Sequence, residues 1–302
     1  MRFTAPPRLG PGARIALIAP AGPLGGDAEL ERAAENASSM GWVPIPGAHV
    51  RERLDYLAGS DSSRLSDLNG ALRDPHIDGV WCVRGGYGAL RLLEMVDYDA
   101  LRRAPKAVIG FSEITVLHAA IGVKAGVISY HGPTARGTLS AFSRRSLERA
   151  VTCGGNPAGA AEGAEVLVAG VARGRLAGGN LAVLAALTGT SFFPDLKGSI
   201  LVLEDVNEPV YRIDRMLRHL RLTGAFGGVA GVIFGAFTER GDDADSLPLA
   251  RVLLETAEAI GAPCISGAPI GHIDEQWTLP LGAVAELNAA DRHLTIEEPV
   301  YA

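Results

Sequence analysis

Three side chains at the ends of apolar runs have the chemistry of acyl transfer. They are a serine, Ser112 in "KAVIGFSEIT", a carboxylate, Glu204 or its neighbour Asp205 in "SILVLEDV", and a histidine, His272 in "APIGHIDEQW". A serine hydroxyl is a weak nucleophile until a base takes its proton and a third group orients that base. Ser112 stands between an apolar run and a helical pattern, where a turn exposes the hydroxyl and unpaired helix N–H groups can face an oxyanion. A serine there also serves as a helix N-cap. The full G-x-S-x-G elbow is missing, because Ile114 stands where its second glycine would be. On this stretch alone both readings stay open.

Among the seven histidines, His272 follows a short apolar run and lies in a Gly/Pro-rich loop, a setting in which functional side chains are exposed. His131 in "ISYHGPT" is its rival, since it too follows an apolar run, whereas the other five fall in helical, hairpin or plain loop patterns. Adjacent strand residues face opposite sides, so only one of Glu204 and Asp205 points into a given cleft, and either also suits a cap or a salt bridge. A second turn, Arg84 to Gly88 in "VWCVRGGYGAL", has three glycines in four positions. It either presents backbone N–H groups to an anion or simply makes a tight connection. Gly178, Gly179 and Asn180 open another helix, facing the cleft or forming a turn with an Asn cap. Arg212 and Arg215 in "YRIDRML" carry planar forks that suit a substrate carboxylate, with surface pairing to Glu208 or Asp214 as the alternative.

The elements that must position these residues alternate. From Arg14 the runs "RIALIAP", "WVPIPG", "IDGVWCV" and "KAVIGF" are separated by helical patterns such as "DAELERAAENASSMG" and "SSRLSDLNGALRDP". Strands alternating with helices predict βαβ units and a parallel sheet covered on both faces. The stretch "TCGGNPAGAAEGAE", poor in large apolar residues, reads as a linker or exposed crossing. Beyond it, strands "SILVLEDV" and "GVAGVIFGAF" alternate with helices, and "AVAELNAADRHLTIEE" reads as a hairpin. The predicted fold is α/β: an N-terminal doubly wound parallel-sheet lobe and a C-terminal mixed α/β lobe, with the active site in the cleft between them. The expected division is 1–151 for the nucleophile domain, 152–172 for the linker, and 173–302 for the domain carrying the carboxylate and histidine.

At 302 residues the chain exceeds what one core usually fills, which favours two lobes. Its formal net charge of -6 gives no basic field to draw it to nucleic acid or an anionic membrane. No apolar run approaches the ~20 residues of a membrane span, and the N-terminus has no secretory h-region, so a cytoplasmic location is expected. Cys82, Cys153 and Cys264 are odd in number and widely spaced, as free thiols in a reducing compartment would be. The dinucleotide and P-loop fingerprints are missing from the contexts they require, and neither H-E-x-x-H nor C-x-x-C occurs. No cofactor and no metal are therefore expected.

Taken together and in order, "VWCVRGGYGALRLL", "IGFSEIT", "AGGNLAVLAALTGT", "LVLEDVNEPVYRIDRML" and "GAPIGH" with "TLPLG" resemble the L,D-carboxypeptidase family of serine peptidases, which includes microcin-immunity hydrolases. The likeness spans nearly the whole chain. It implies Ser112 as nucleophile, Glu204 as the group orienting the histidine, and His272 as base. It also implies an oxyanion hole from the backbone N–H groups of Gly86 and Glu113. Arg84, Asn180 and Arg212 are the candidates for holding substrate. The implied reaction is removal of the terminal D-alanine from a muropeptide tetrapeptide during peptidoglycan recycling, by a homodimer. The rival within the family is hydrolysis of peptidyl or aminoacyl nucleotides. Those hydrolases resemble the "GGNL" helix but usually carry a tryptophan just after it, where this chain has "AALTGT"; Trp277 is the candidate substitute. Outside the enzymes, two α/β lobes around a cleft also describe a solute-binding module.

Overall fold

The computed structural model describes residues 3–239, 248–297 and 300–302. In the first lobe, β1 (Arg14–Ile18), β2 (Val43–Pro46), β3 (Gly79–Cys82), β4 (Ala107–Gly110) and β5 (Ser129–His131) run parallel. Helices α1 (Asp27–Ser39), α2 (Asp61–Arg73), α3 (Tyr98–Arg103), α4 (Thr115–Ala125) and α5 (Ala141–Glu148) cover the sheet. Alternate strand residues enter different cores. Ile15, Leu17, Trp81 and Ile109 pack with α1 residues Leu30 and Ala33, while Ile18, Val80, Cys82 and Val108 pack with Leu68 of α2 and Leu117 of α4. Strands buried on both faces must be apolar at every position, which is why they read as continuous runs.

The second sheet has the order β6 (Gly159–Ala160), β14 (His293–Ile296), β13 (Val284–Asn288), β8 (Val171–Asn180), β9 (Ser199–Glu208), β10 (Gly231–Glu239), β11 (Cys264–Ser266), β7 (Glu165–Val168). Its central strands β8 to β11 are parallel, and those at both ends are antiparallel, so this lobe is mixed as expected. Helices α6 (Leu181–Ala186), α7 (Val210–Leu222) and α8 (Leu249–Ile260) pack their apolar stripes on one face of it, among them Leu184, Leu217 and Leu253. The terminal hairpin is β13 and β14; Glu298, the last residue of the run that predicts it, lies outside the described residues. Within 152–172, β6 and β7 pair at opposite ends of the sheet.

The lobes exchange chain. The three-residue strand β12 (Leu279–Leu281), following the His272 loop, pairs antiparallel with β5 on the edge of the first sheet. β9 also runs four residues past Glu204, because β10 continues to pair with it beyond a bulge. No described helix is long and apolar enough to cross a membrane.

Candidate active site

The nucleophile candidate sits on a strained turn. β4 ends at Gly110, and a single 3-10 turn, Ser112–Ile114, leads into α4. Ser112 has φ +66°, in the left-handed region. That conformation costs an L-residue roughly 1–2 kcal/mol, because Cβ crowds the following carbonyl. The cap reading fails on geometry: Phe111 occupies the capping position, and no side-chain hydrogen bond closes the turn.

The Arg84–Gly88 turn packs directly against this serine. A Cβ on Gly85 would stand 3.2 Å from Ser112 Oγ and 3.0 Å from its Cβ, so a side chain there would have to push the serine aside by a few tenths of an ångström. Gly86, at φ +109°, lies against Gly22, whose N–H donates to Gly85 O at 2.9 Å. Among the described residues, no hydrogen bond engages the N–H of Gly86 or of Glu113. The Glu113 side chain ties the two turns together, Oε1 accepting from Gly88 N–H at 2.8 Å and Ala89 N–H at 2.9 Å. Burial raises its pKa, opposed by the N–H donors at Gly88, Ala89 and Leu90 and by the Arg64 charge. Arg64 is itself buried and donates to Pro20 O and Gly88 O, holding the far side of the same turn.

The histidine and its carboxylate come from the second lobe. Glu204 on β9 is wholly buried, and its Oε2 lies 2.8 Å from His272 Nδ1. Gly271, at φ +111°, makes this pair possible: a Cβ there would fall 2.7 Å from Glu204 Oε2 and 2.9 Å from Glu204 Cβ. The His272 ring packs at a tilt on Phe111, centroids 4.7 Å apart, which brings it beside the residue preceding Ser112. With Nδ1 engaged by Glu204, Nε2 is the nitrogen left for proton transfer.

His131 has a different environment. It is fully buried behind Phe111, and neither ring nitrogen has a hydrogen-bond partner among the described residues. Burial first, then the neighbouring histidines, drive its pKa down to about 3. His118 is also buried, bonded to Gly110 O and Ser129 Oγ, and burial lowers its pKa to about 4. These two neutral rings pack under the nucleophile turn.

Asp205 faces away from His272. Its carboxylate accepts from Asn180 Nδ2 at 3.0 Å, Ala182 N–H at 2.9 Å and Val206 N–H at 2.8 Å. Burial pushes its pKa up to about 6, with Glu204 adding to the rise and those donors opposing it. Asn180 caps α6 through Val183 N–H, and its own N–H donates to Thr115 Oγ1 at the start of α4. The "GGN" glycines permit this contact, since a Cβ on Gly179 would meet Thr115 Oγ1 at 2.5 Å. Arg212 pairs with Glu208 at 3.0 Å, and Arg215 lies over the Tyr211 ring. Arg84 donates through Nη1 to Pro23 O. Cys82 and Cys264 are buried free thiols, and Cys153 is an exposed one. Among the described residues, no group of three or more His, Cys, Asp or Glu is placed to hold a metal.

Several of these contacts escape sequence reasoning. The Glu113 side-chain clamp, the Gly22 and Gly271 approaches and the Thr115–Asn180 link all join residues far apart in the chain. The signal available for the first is an acid beside the serine together with a glycine turn whose amides lack partners.

A two-lobed α/β fold with a strained serine on one lobe and a carboxylate-bound histidine on the other is that of a serine carboxypeptidase. The chain belongs to the LD-carboxypeptidase family: residues 15–132 match its N-terminal domain and residues 173–287 its C-terminal domain. It is 37% identical to the murein tetrapeptide carboxypeptidase of Pseudomonas aeruginosa, over 91% of this chain and 92% of that one. The muramoyltetrapeptide carboxypeptidase of Oxalobacter formigenes superposes with a TM-score of 0.82 at 30% identity, covering 95% of this chain and all of the other. The microcin C7 self immunity protein MccF shares the fold, with a TM-score of 0.89 at 23% identity and 99% of each chain covered.

Proposed function

We propose that the protein hydrolyses the L,D-amide bond holding the terminal D-alanine of a muropeptide tetrapeptide. In this reading Ser112, His272 and Glu204 form the triad, and Gly86 N–H and Glu113 N–H form the oxyanion hole. Ser112 Oγ attacks the carbonyl carbon while His272 Nε2 takes its proton. The oxyanion is met by the two amides, and the C–N bond breaks as His272 returns the proton to the amine of the leaving residue. Water, deprotonated in turn by His272, then cleaves the acyl ester. The observation that carries this reading is the 2.8 Å bond between His272 Nδ1 and a wholly buried Glu204, which fixes the ring's tautomer and orientation.

The relatives named for murein or muramoyl tetrapeptides support the substrate, and peptidoglycan recycling in the cytoplasm is where such a peptide is met. Against the nucleotide alternative stands Trp277, the aromatic nominated to stack on a base. It is 1% exposed, packed among Leu279 and Ile270 in the second lobe's core. Arg84, Asn180 and Arg212 remain the candidates for holding substrate on this reading; Asn180 is bonded to Asp205, and Arg212 pairs with Glu208 through Nε. The deciding experiment offers the protein a muropeptide tetrapeptide and, separately, an aminoacyl sulfamoyl adenylate. Release of D-alanine from the first, lost in Ser112→Ala, is expected; turnover of the second alone would overturn the proposal.

A further inference from the structure

We infer that the loop of residues 22–25, with the guanidiniums of Arg84, Arg53 and Arg136 fixed around it, is an anion subsite that takes the free carboxylate of the substrate's terminal residue. This inference rests on the carboxypeptidase reading and gives it a specificity determinant.

Each residue of the loop holds one part of the cluster. Pro23 O accepts from Arg84 Nη1, and Leu24 O accepts from Arg53 Nη2 at 2.7 Å. Gly25 N–H donates to Glu29 Oε2 at 2.8 Å, and Glu29 Oε1 pairs with Arg136. Three guanidiniums therefore meet at one loop: Glu29 pairs with Arg136 and feels the Arg84 charge, while among the described residues neither Arg84 nor Arg53 forms an ion pair. The nearest further acid on α1, Asp27, is paired with Arg51. Arg84 has its pKa lowered by burial first and then by Arg136 and Arg53, with Glu29 opposing. Among the described residues, Arg84 Nε and Nη2 donate to no protein group, so its fork keeps donors for a ligand. Like charges held together by a loop repel unless an anion joins them.

The cluster is joined to the nucleophile turn through Gly22 and Gly85. Gly22 is bonded to Gly85, and a Cβ on Gly22 would stand 3.6 Å from Arg84 Nε and 3.3 Å from Gly86 Cα. Gly85 in turn lies against Ser112 Oγ. The terminal carboxylate carbon is three bonds, roughly 3–4 Å, from the scissile carbonyl carbon. A carbonyl seated between Ser112 and the Gly86 amide therefore puts the carboxylate of a single leaving residue beside Arg84. A chain that continued past that residue would present a neutral amide to the same charges.

The test compares a tetrapeptide bearing a free terminal carboxylate with the same peptide as its terminal carboxamide. Side-chain carboxylates are common to both, so the comparison isolates the terminal one. Loss of charge-assisted hydrogen bonds predicts that the wild type prefers the acid by about 10- to 100-fold in kcat/KM. Arg84→Gln should lose most of that factor on the acid and distinctly less on the amide, so that the preference for the acid collapses. Arg53→Gln, remote from the glycine turn, should show a smaller loss, again greater on the acid, and keeps the test open if Arg84→Gln fails to fold. Equal losses on acid and amide, or a wild type indifferent to amidation, would overturn the inference. Should the wild type hydrolyse neither peptide, the proposed reaction fails, but binding to Ser112→Ala still judges the subsite. Tighter binding of the acid, lost in Ser112→Ala/Arg84→Gln, supports it, and equal affinities refute it.

Discussion

Replacing Ser112 by glycine should make the protein more stable than replacing it by alanine, although on the proposed mechanism neither variant should hydrolyse substrate. Ser112 holds φ +66°, a conformation that crowds any Cβ and that glycine adopts freely. Alanine keeps the Cβ and so keeps the strain; glycine removes it. The relief is roughly 1–2 kcal/mol, and the greater freedom of glycine in the unfolded chain returns part of this, leaving about 1 kcal/mol in favour of Ser112→Gly. The neighbourhood does not reverse the sign. The serine residue is only partly buried, so removal of its Cβ opens little enclosed cavity. In a protein of this size the difference corresponds to about 2 °C in Tm. Urea denaturation and thermal melts of the two variants, side by side at one pH, read it directly. An equal or higher stability for Ser112→Ala would refute the view that this residue is held in strain, and with it the account of how the hydroxyl is exposed.

Gly271→Ala should separate the histidine from its carboxylate, since the new Cβ would fall 2.7 Å from Glu204 Oε2. We expect kcat to fall at least about 100-fold with KM little changed; steady-state kinetics giving a pure KM effect would contradict this. Glu113→Ala should free the Gly88–Ala89 end of the glycine turn proposed to hold the oxyanion and cut kcat/KM by about 10-fold or more, while Glu113→Gln, which keeps the acceptor, should retain most activity. If both variants match the wild type, the turn is held by other contacts. Asp205 gives a pH dependence with a definite sign. Its folded pKa of about 6 lies above its ordinary 3.8, so its contribution to stability is complete below about pH 4 and is lost as pH rises through 6. The loss is about 3 kcal/mol, two pKa units. Relative to Asp205→Asn, urea stability of the wild type should therefore decline over that window, and a difference independent of pH would rule the argument out.

What the sequence made legible follows from local physics. Runs such as "RIALI" and "GVWC" could be read as parallel strands because burial on both faces leaves them no polar position. Glycine clusters could be read as turns for an equally local reason. Ser112 was ambiguous because a capping serine and a strained one have the same neighbours in the chain and differ in the sign of φ. The choice between His272 and His131 was likewise not local: it depends on a carboxylate 68 positions away, which reaches one ring and not the other. The extent of β9 beyond Glu204 was set by pairing with β10 rather than by its own residues. Glycines 22, 85 and 271 each exist for a contact with a distant residue, so their spacing alone says only that the chain can bend.

The exchange of β12 bears on how the protein is made. Until Leu279–Leu281 arrives, the β5 edge of the first sheet carries unpaired backbone groups. Residues 300–302 return to the same lobe: Ala302 N–H donates to Pro6 O at 2.8 Å, and Tyr130 Oη donates to Val300 O. The first lobe is thus finished by residues that follow the second lobe in the chain. During translation the first sheet must wait with an open edge while more than a hundred residues emerge, a period in which it is exposed to pairing with other chains. For the same reason a fragment ending in the 152–172 stretch would hold Ser112 on an incomplete sheet, and the cut between the two halves of the gene would not be a cut between two folding units.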